Sequence, residues 1–328
     1  MVTESTLDPT PGSTAEPSLR VALMGASPAG AQAAIEAHTE GLVRFLSAPD
    51  LSDLDRVGEV LAQADAVVGA LPTEAFDAPH LRLVHATGAG VDHYARHLIP
   101  ADAYLCNAYE HGPGMAEHVI AMMLMLRRDI LTFDRDLRRG DWNRQRFGPH
   151  GLYPELREST LGIVGFGTIG RALVPLAQAF GMQIHAIRNR RSDDAAPAGV
   201  SFQGGPEDLD RVLEAADTLV VAVPLDDATR GMIGKKQLAR MRPTSLLINV
   251  ARGPVVDEDA LYEALVDGTI AGAGIDVWYQ YPSGDQDCMP STRPFHELSN
   301  VVMTPHTAGW TQQTARDRWT FIGRNLAR

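Results

Sequence analysis

From residue 160 the chain reads TLGIVGFGTIG, a β-branched run that ends in three glycines spaced G-x-G-x-x-G and opens a helix. The chemistry open to such a stretch is anion binding by backbone. Gly165 permits the tight turn out of the strand, Gly167 lets the main chain approach a pyrophosphate, and Gly170 allows the helix to pack closely on the strand. Thr168 and Ile169 belong to the first turn of that helix, whose free amides and partial positive charge face the phosphates. Roughly twenty residues on, a site selective for NAD places Asp or Glu on the adenine ribose. This chain has IRNRRS there. Arg188, Asn189, Arg190 and Arg191 offer cations and an amide in place of a carboxylate, which suits the 2′-phosphate of NADP, with NAD as the alternative. An earlier GASPAG, from Gly25 to Gly30, also follows a strand but lacks the triple spacing and reads as a structural turn.

Such a loop needs a sheet behind it. From Arg20 the sequence alternates short apolar runs, RVALMG, LVRFLS, DAVVGA, LRLVHAT and AYLCN, with helical segments, and from Thr160 it does so again through TLGIVGFG, MQIHAIR, TLVVAVP, SLLINVA, AGAGIDV and VVMTP. Nearly continuous apolar runs at this spacing predict parallel strands covered by helices on both faces. The fold class is therefore α/β, with two doubly wound, Rossmann-like domains. A chain of 328 residues is long enough for both. Between the two series a single long helix is expected from Pro113 to Arg139, followed by a polar arm or loop, GDWNRQRFGPHGLYPEL. Further helices are expected near 169–180, 206–215, 235–240 and 257–266, and a closing one from Thr311 to Arg328. The first 18 residues, rich in Pro, Ser and Thr, read as a disordered tail.

Composition excludes several classes. A net charge of -12 repels nucleic acid and anionic membranes, so a small anionic ligand needs a local cationic pocket. Cys106 and Cys288 match no zinc or redox spacing, and no metal site is expected; two isolated thiols suit a reducing cytosol. The most apolar helical stretch, HVIAMMLML, is too short to span a bilayer, which makes Met122, Met123 and Met125 core or subunit-interface residues.

Three further stretches complete a pattern: INVARGPVVDEDAL (248–261), GAGIDVWYQYP (272–282) and NVVMTPHTAGW (300–310). With GFGTIG before them, they resemble the D-2-hydroxyacid dehydrogenase family, which includes glyoxylate and hydroxypyruvate reductases, phosphoglycerate dehydrogenase and formate dehydrogenase. The resemblance implies a substrate domain, 19–110 plus 298–328, a dinucleotide-binding domain, 111–297, that carries a dimerisation helix and arm, and an active site in the cleft between them. It also implies that Arg252 binds substrate, its fork holding the keto oxygen and carboxylate of a 2-oxoacid. By the same token His306 is the acid/base that protonates the carbonyl oxygen, and Asp276 faces the nicotinamide carboxamide. HATGAGVDH (85–93) resembles the family's carboxylate-binding loop, where the amides of Ala89 and Gly90 point at the anion. His111 fills the slot of a substrate-contacting asparagine.

One position departs from the family. Most members place a glutamate immediately before the proline of the DV-containing motif, paired with the histidine; here that residue is Tyr281, preceded by Gln280. A neutral tyrosine does not favour the imidazolium, so His306 is expected to titrate lower than in relatives with the glutamate, unless Glu110 or Glu297 fills the role. Tyr281 and Trp310, the latter where small or hydroxyl residues are common, are expected to shape the substrate pocket. The implied activity is hydride transfer between NADP(H) and a small 2-oxoacid or D-2-hydroxyacid, in a cytoplasmic homodimer. The alternatives are a dehydrogenase of an unusual acid such as a phosphonate, and a redox-sensing dinucleotide-binding protein with little turnover.

Overall fold

The computed structural model describes residues 19–142, 152–189, 196–282 and 286–328. The chain divides into two compact units, Met1–Ala108 with Arg316–Arg328, and Tyr109–Ala315. The expected tail and most of the expected arm lie outside the described residues.

The first unit is a parallel sheet of β1 (Leu19–Met24), β2 (Val43–Ala48), β3 (Ala66–Gly69), β4 (Leu83–His85) and β5 (Tyr104–Cys106), in the order β2-β1-β3-β4-β5. Its strands read as apolar runs because both faces are covered. Helix α1 (Ala26–Gly30) follows β1, and α2 (Gln32–Glu36) follows in turn. On one face Val57, Val60 and Leu61 of α3 (Leu54–Leu61) pack with Ala22, Val67 and Val84. On the other, Ile35 of α2 joins Trp319, Ile322 and Leu326 of the C-terminal helix, Gln312–Leu326, against Val21, Leu23 and Val68.

The second unit opens with α4 (Gly112–Arg127) and α5 (Ile130–Arg138). It continues through β6 (Thr160–Val164), α6 (Thr168–Ala179), β7 (Gln183–Ile187), β8 (Phe202–Gly204), α7 (Leu209–Ala215), β9 (Thr218–Val221), α8 (Lys235–Leu238), β10 (Leu246–Asn249), α9 (Glu258–Val266), β11 (Gly272–Ile275) and β12 (Val301–Met303). The seven strands are parallel in the order β12-β11-β10-β9-β6-β7-β8. The chain reverses its direction of travel across the sheet at β6, and ligands of open α/β sheets sit outside the carboxyl ends of the strands at such a point. GFGTIG lies there.

Three expectations change. The single helix from 113 to 139 is two helices, because Asp129 adopts a left-handed conformation (φ 50°) that ends one and starts the other; Asp tolerates that region better than most residues. Residues 298–315 belong to the second unit rather than the first, since β12 hydrogen-bonds to β11 and completes the larger sheet. The edge strand β8, only three residues long beside a glycine pair, has no periodicity to reveal it.

Candidate active site

The three glycines of the loop after β6 meet three different surroundings. Gly165 has φ 104°, and a Cβ there would run into the Ala222 carbonyl; a Cβ on Gly170 would lie 2.9 Å from the Gly165 oxygen. Both are required by the protein's own packing. Around Gly167 nothing lies within 4 Å of a Cβ, so the space beside the start of α6 is open. An open approach to backbone at a helix N-terminus fits a dinucleotide's pyrophosphate. The Gly165 and Phe166 amides both donate to the Ile187 carbonyl, at 3.0 and 3.1 Å, which ties the loop to the end of β7. Arg188 follows directly, half-buried, its own amide donating to Gly204 O, and Asn189 is exposed. Arg190 and Arg191 lie outside the described residues.

At the carboxyl ends of β10, β11 and β12, three loops are fastened together through Trp278. After β10, Asn249 Oδ1 accepts from Ala251 N and its Nδ2 donates to the Arg252 carbonyl, both at 3.1 Å, which shapes the turn bearing Arg252. The half-buried Arg252 side chain donates from Nη1 to Ala251 O at 2.8 Å. The next residue, Gly253, presses on the Trp278 carbonyl so closely that a Cβ would collide with it. The buried Trp278 donates its indole N–H to Thr304 O at 2.8 Å and its main-chain N–H to the Tyr281 hydroxyl at 3.1 Å. That hydroxyl lies 2.9 Å from His306 Nδ1. Tyr281, expected to line the substrate pocket, thus has its polar end on the histidine, and its side chain is about half exposed. The neighbouring Tyr279 differs: it donates to Val256 O at 3.0 Å, and burial pushes its phenol pKa well up.

His306 has φ 57°, in the left-handed region. Such a backbone is held only where its surroundings determine it, and here the determinant is Asp276. Its carboxylate, 0% exposed, accepts from Thr307 N at 2.9 Å, Ala308 N at 3.0 Å and Thr304 Oγ1 at 2.6 Å. Asp276, expected to face the nicotinamide carboxamide, has its carboxylate anchoring the loop that displays His306. Because the Thr304 hydroxyl has a single proton and gives it to Asp276, it accepts from His118 Nε2, 3.1 Å away. His118 Nε2 is also 3.8 Å from Asp276 Oδ1. Trp278, Thr304 and His118 escaped the sequence reading; the adjacency of W to IDV and of T to PH was the available signal.

His111 is the N-cap residue of α4 and packs against the same loop, its Cβ 3.3 Å from where a Cβ on Gly309 would be. Trp310 beside it is 81% exposed. Glu297, one proposed substitute for the absent glutamate, is turned to His296 at 3.9 Å and is largely exposed.

In the first unit, the turn after β4 is built to present amides. The Gly88 carbonyl accepts from Ala108 N at 3.1 Å and the Ala89 carbonyl from Asn107 Nδ2 at 2.7 Å. In a trans peptide the N–H points opposite to the C=O, so the amides of Ala89 and Gly90 both face away from 107–108. Buried His85 braces the turn, with Nδ1 3.0 Å from Ala86 O and Nε2 3.1 Å from Asn325 Nδ2, and burial lowers its pKa below 6.5.

Comparison with known proteins agrees with this architecture. Residues 120–308 match the family model described as D-isomer specific 2-hydroxyacid dehydrogenase, NAD binding domain. A glyoxylate reductase of Pyrococcus furiosus is 34% identical over 280 residues, covering 83% of this chain and 80% of that enzyme. A glycerate dehydrogenase of Methylorubrum extorquens is 40% identical over 201 residues, 61% of this chain and 59% of the relative. The crystal structure of a glyoxylate reductase from Paecilomyes thermophila shares the fold, with a TM-score of 0.78 at 24% identity over 94% of each chain. The chain belongs to the D-isomer specific 2-hydroxyacid dehydrogenases, nicotinamide-dependent oxidoreductases that act on CH–OH donors.

Proposed function

We propose that the protein reduces a small 2-oxoacid of the glyoxylate or hydroxypyruvate type to the D-2-hydroxyacid, with NADPH as the preferred reductant. The observation that carries this reading is that Trp278 ties together the turn bearing Arg252, through Gly253, and the loop bearing His306, through Thr304 and Tyr281, at the carboxyl edge of the sheet that bears the glycine loop. A guanidinium fork matches the adjacent carboxylate and keto oxygens of a 2-oxoacid, and polarises the carbonyl. His306 supplies the proton to that oxygen. The amides of Ala89 and Gly90 offer a second place for a carboxylate, and His111, at the start of α4, and Trp310, on the loop after β12, would bound the substrate. Gly165, Gly167, Thr168, Ile169 and Gly170 would hold the dinucleotide, which supplies the hydride. The printed activities of the Pyrococcus furiosus and Methylorubrum extorquens relatives, a glyoxylate reductase and a glycerate dehydrogenase, support the same substrate class.

The preference for NADPH rests on Arg188 at the end of β7. Catalytic efficiency with NADPH should exceed that with NADH, and Arg188→Asp should reverse or abolish the bias. One charge-assisted phosphate contact contributes about 1.5–3 kcal/mol, on the order of tenfold or more. Steady-state rates with both reduced cofactors and a panel of 2-oxoacids decide it: a wild type that prefers NADH contradicts the assignment, and no turnover of any 2-oxoacid contradicts the activity.

The same unit supports a homodimer. Ile130, Leu131 and Leu137 of α5 and Trp142, 71% exposed, form an apolar stretch beside a cavity of about 330 Å³ lined by Met125, Leu131 and Tyr153. Met122 and Met123 lie in the core instead. A second copy across a two-fold axis would cover this face. Sedimentation should give a dimer at micromolar concentration; a monomer there contradicts the proposal. The free cysteines, Cys106 half-buried and Cys288 exposed, suit a reducing cytosol as the setting.

A further inference from the structure

The Tyr281 hydroxyl has one proton to give and two lone pairs. The Trp278 main-chain N–H occupies one lone pair at 3.1 Å, and His306 Nδ1 lies 2.9 Å away. From these contacts we infer that Tyr281 donates its proton to Nδ1 of neutral His306, holds the imidazole in its Nε2–H tautomer and acts as a second proton carrier during reduction. The inference rests on the reductive reading above. A carboxylate at position 281 could not act this way. It only accepts in the pH range of catalysis, so a neutral imidazole beside it carries its proton on Nδ1 and turns a bare Nε2 outward.

When His306 is charged, the Nε2–H bond breaks as its proton passes to the substrate's carbonyl oxygen, and the Nδ1–H stays directed at the phenol oxygen. When His306 is neutral, two bonds break and two form. The Nε2 proton goes to the carbonyl oxygen, and the Tyr281 proton goes to Nδ1. The electron pair that reduces the carbonyl carbon comes from a reduced nicotinamide. The phenolate left at position 281 accepts from the Trp278 N–H and from Nδ1–H, and recovers its proton from water. At 48% exposure the Tyr281 side chain is within reach of solvent.

Among the described residues of this unit, titratable or charged groups on segments packed around His306 include Asp276, which anchors its loop, His118 beside Asp276, His111 against Gly309, and Arg252 on the turn packed against Trp278. All four are retained in the variants below, so they form a constant background. Tyr281 acts through His306 and is a positioning residue. Its test must therefore read proton placement as well as rate.

In the full-length protein, nitrogen-15 histidine NMR at alkaline pH should show neutral His306 as the Nε2–H tautomer, and Tyr281→Phe should shift it toward Nδ1–H. The wild-type pH profile of reductive kcat/KM should fall in two steps, a first as imidazolium gives way to imidazole and a second only where phenols ionise, near about 10. Tyr281→Phe should keep the first step alone, so that its kcat/KM relative to wild type falls about tenfold or more between about pH 6 and about pH 9. Tyr281→Glu should give one step at higher pH than the Phe variant, because a carboxylate favours the imidazolium. An Nδ1–H tautomer in the wild type, or superimposable profiles for wild type and Tyr281→Phe, overturns the inference. Absence of 2-oxoacid reduction at every pH contradicts the functional reading instead, and the tautomer still decides the direction of the hydrogen bond.

Discussion

Replacing Arg252 by lysine should lower kcat/KM for 2-oxoacids on the order of 10²- to 10³-fold, equivalent to about 2.7–4 kcal/mol of transition-state stabilisation. NADPH affinity should stay within about twofold, because the dinucleotide loop lies after β6 and shares no hydrogen bond with the Arg252 turn among those described. The charge survives in the variant, so the loss isolates geometry. A guanidinium sets two parallel N–H groups against neighbouring oxygens, whereas an ammonium is a point charge on a flexible stem. The turn is rigid enough for the difference to matter: Asn249 brackets it at both the Ala251 amide and the Arg252 carbonyl. Steady-state kinetics with glyoxylate and hydroxypyruvate, together with a fluorescence titration of NADPH, check the prediction. Near-normal turnover in Arg252→Lys would remove this residue from the reacting centre.

Gly253→Ala should be nearly as damaging, although it adds one carbon and touches no substrate. The added Cβ would be forced into the carbonyl carbon and oxygen of Trp278, which are backbone atoms that cannot rotate away. Either the Arg252 turn or the Trp278 segment must move. Trp278 also holds Tyr281 and Thr304, so the displacement reaches both catalytic side chains. A shift of about 1 Å in such a constellation costs on the order of 10²-fold in rate, and the overpacking itself costs about 1–3 kcal/mol of stability. The variant should therefore melt a few degrees lower, bind NADPH, and reduce 2-oxoacids poorly. A variant with wild-type kcat/KM would show that the close approach has no bearing on catalysis.

Much of the architecture was legible because parallel strands buried on both faces leave apolar runs that need no tertiary information to recognise. The limits were equally physical. Nothing local distinguishes a helix that runs through RRD from one that breaks at Asp129, since the left-handed turn is chosen by how α4 and α5 pack. The expected boundary at 298 cut VVMTP off from the second series of strands to which its apolar run belongs, and β12 pairs with β11 in the larger sheet.

Within the site, the motifs named the residues but not their partners. Asp276 could be read only as an acid near the end of a strand; its complete burial and its bonds to Thr304, Thr307 and Ala308 come from a loop 28 to 32 residues away. Trp278 looked like one more apolar residue in WYQY. Its two hydrogen bonds, to Tyr281 and Thr304, and the close packing of Gly253 on its carbonyl tie the Arg252 turn, Tyr281 and the His306 loop together. Tyr281 stood out as a departure, and it is the fold that brings its hydroxyl to Nδ1, where a donor and a carboxylate have opposite consequences for the proton on Nε2.

The most direct measurement is product analysis of a single reaction: purified protein, NADPH and hydroxypyruvate, with the glycerate formed resolved by chirality and counted against NADPH consumed. Hydroxypyruvate is the better choice because glycolate, the product from glyoxylate, is achiral. The predicted result is one D-glycerate for each NADPH oxidised. Unchanged NADPH, or an L-glycerate product, would contradict the assignment of Arg252 and His306 to a D-specific 2-oxoacid reductase.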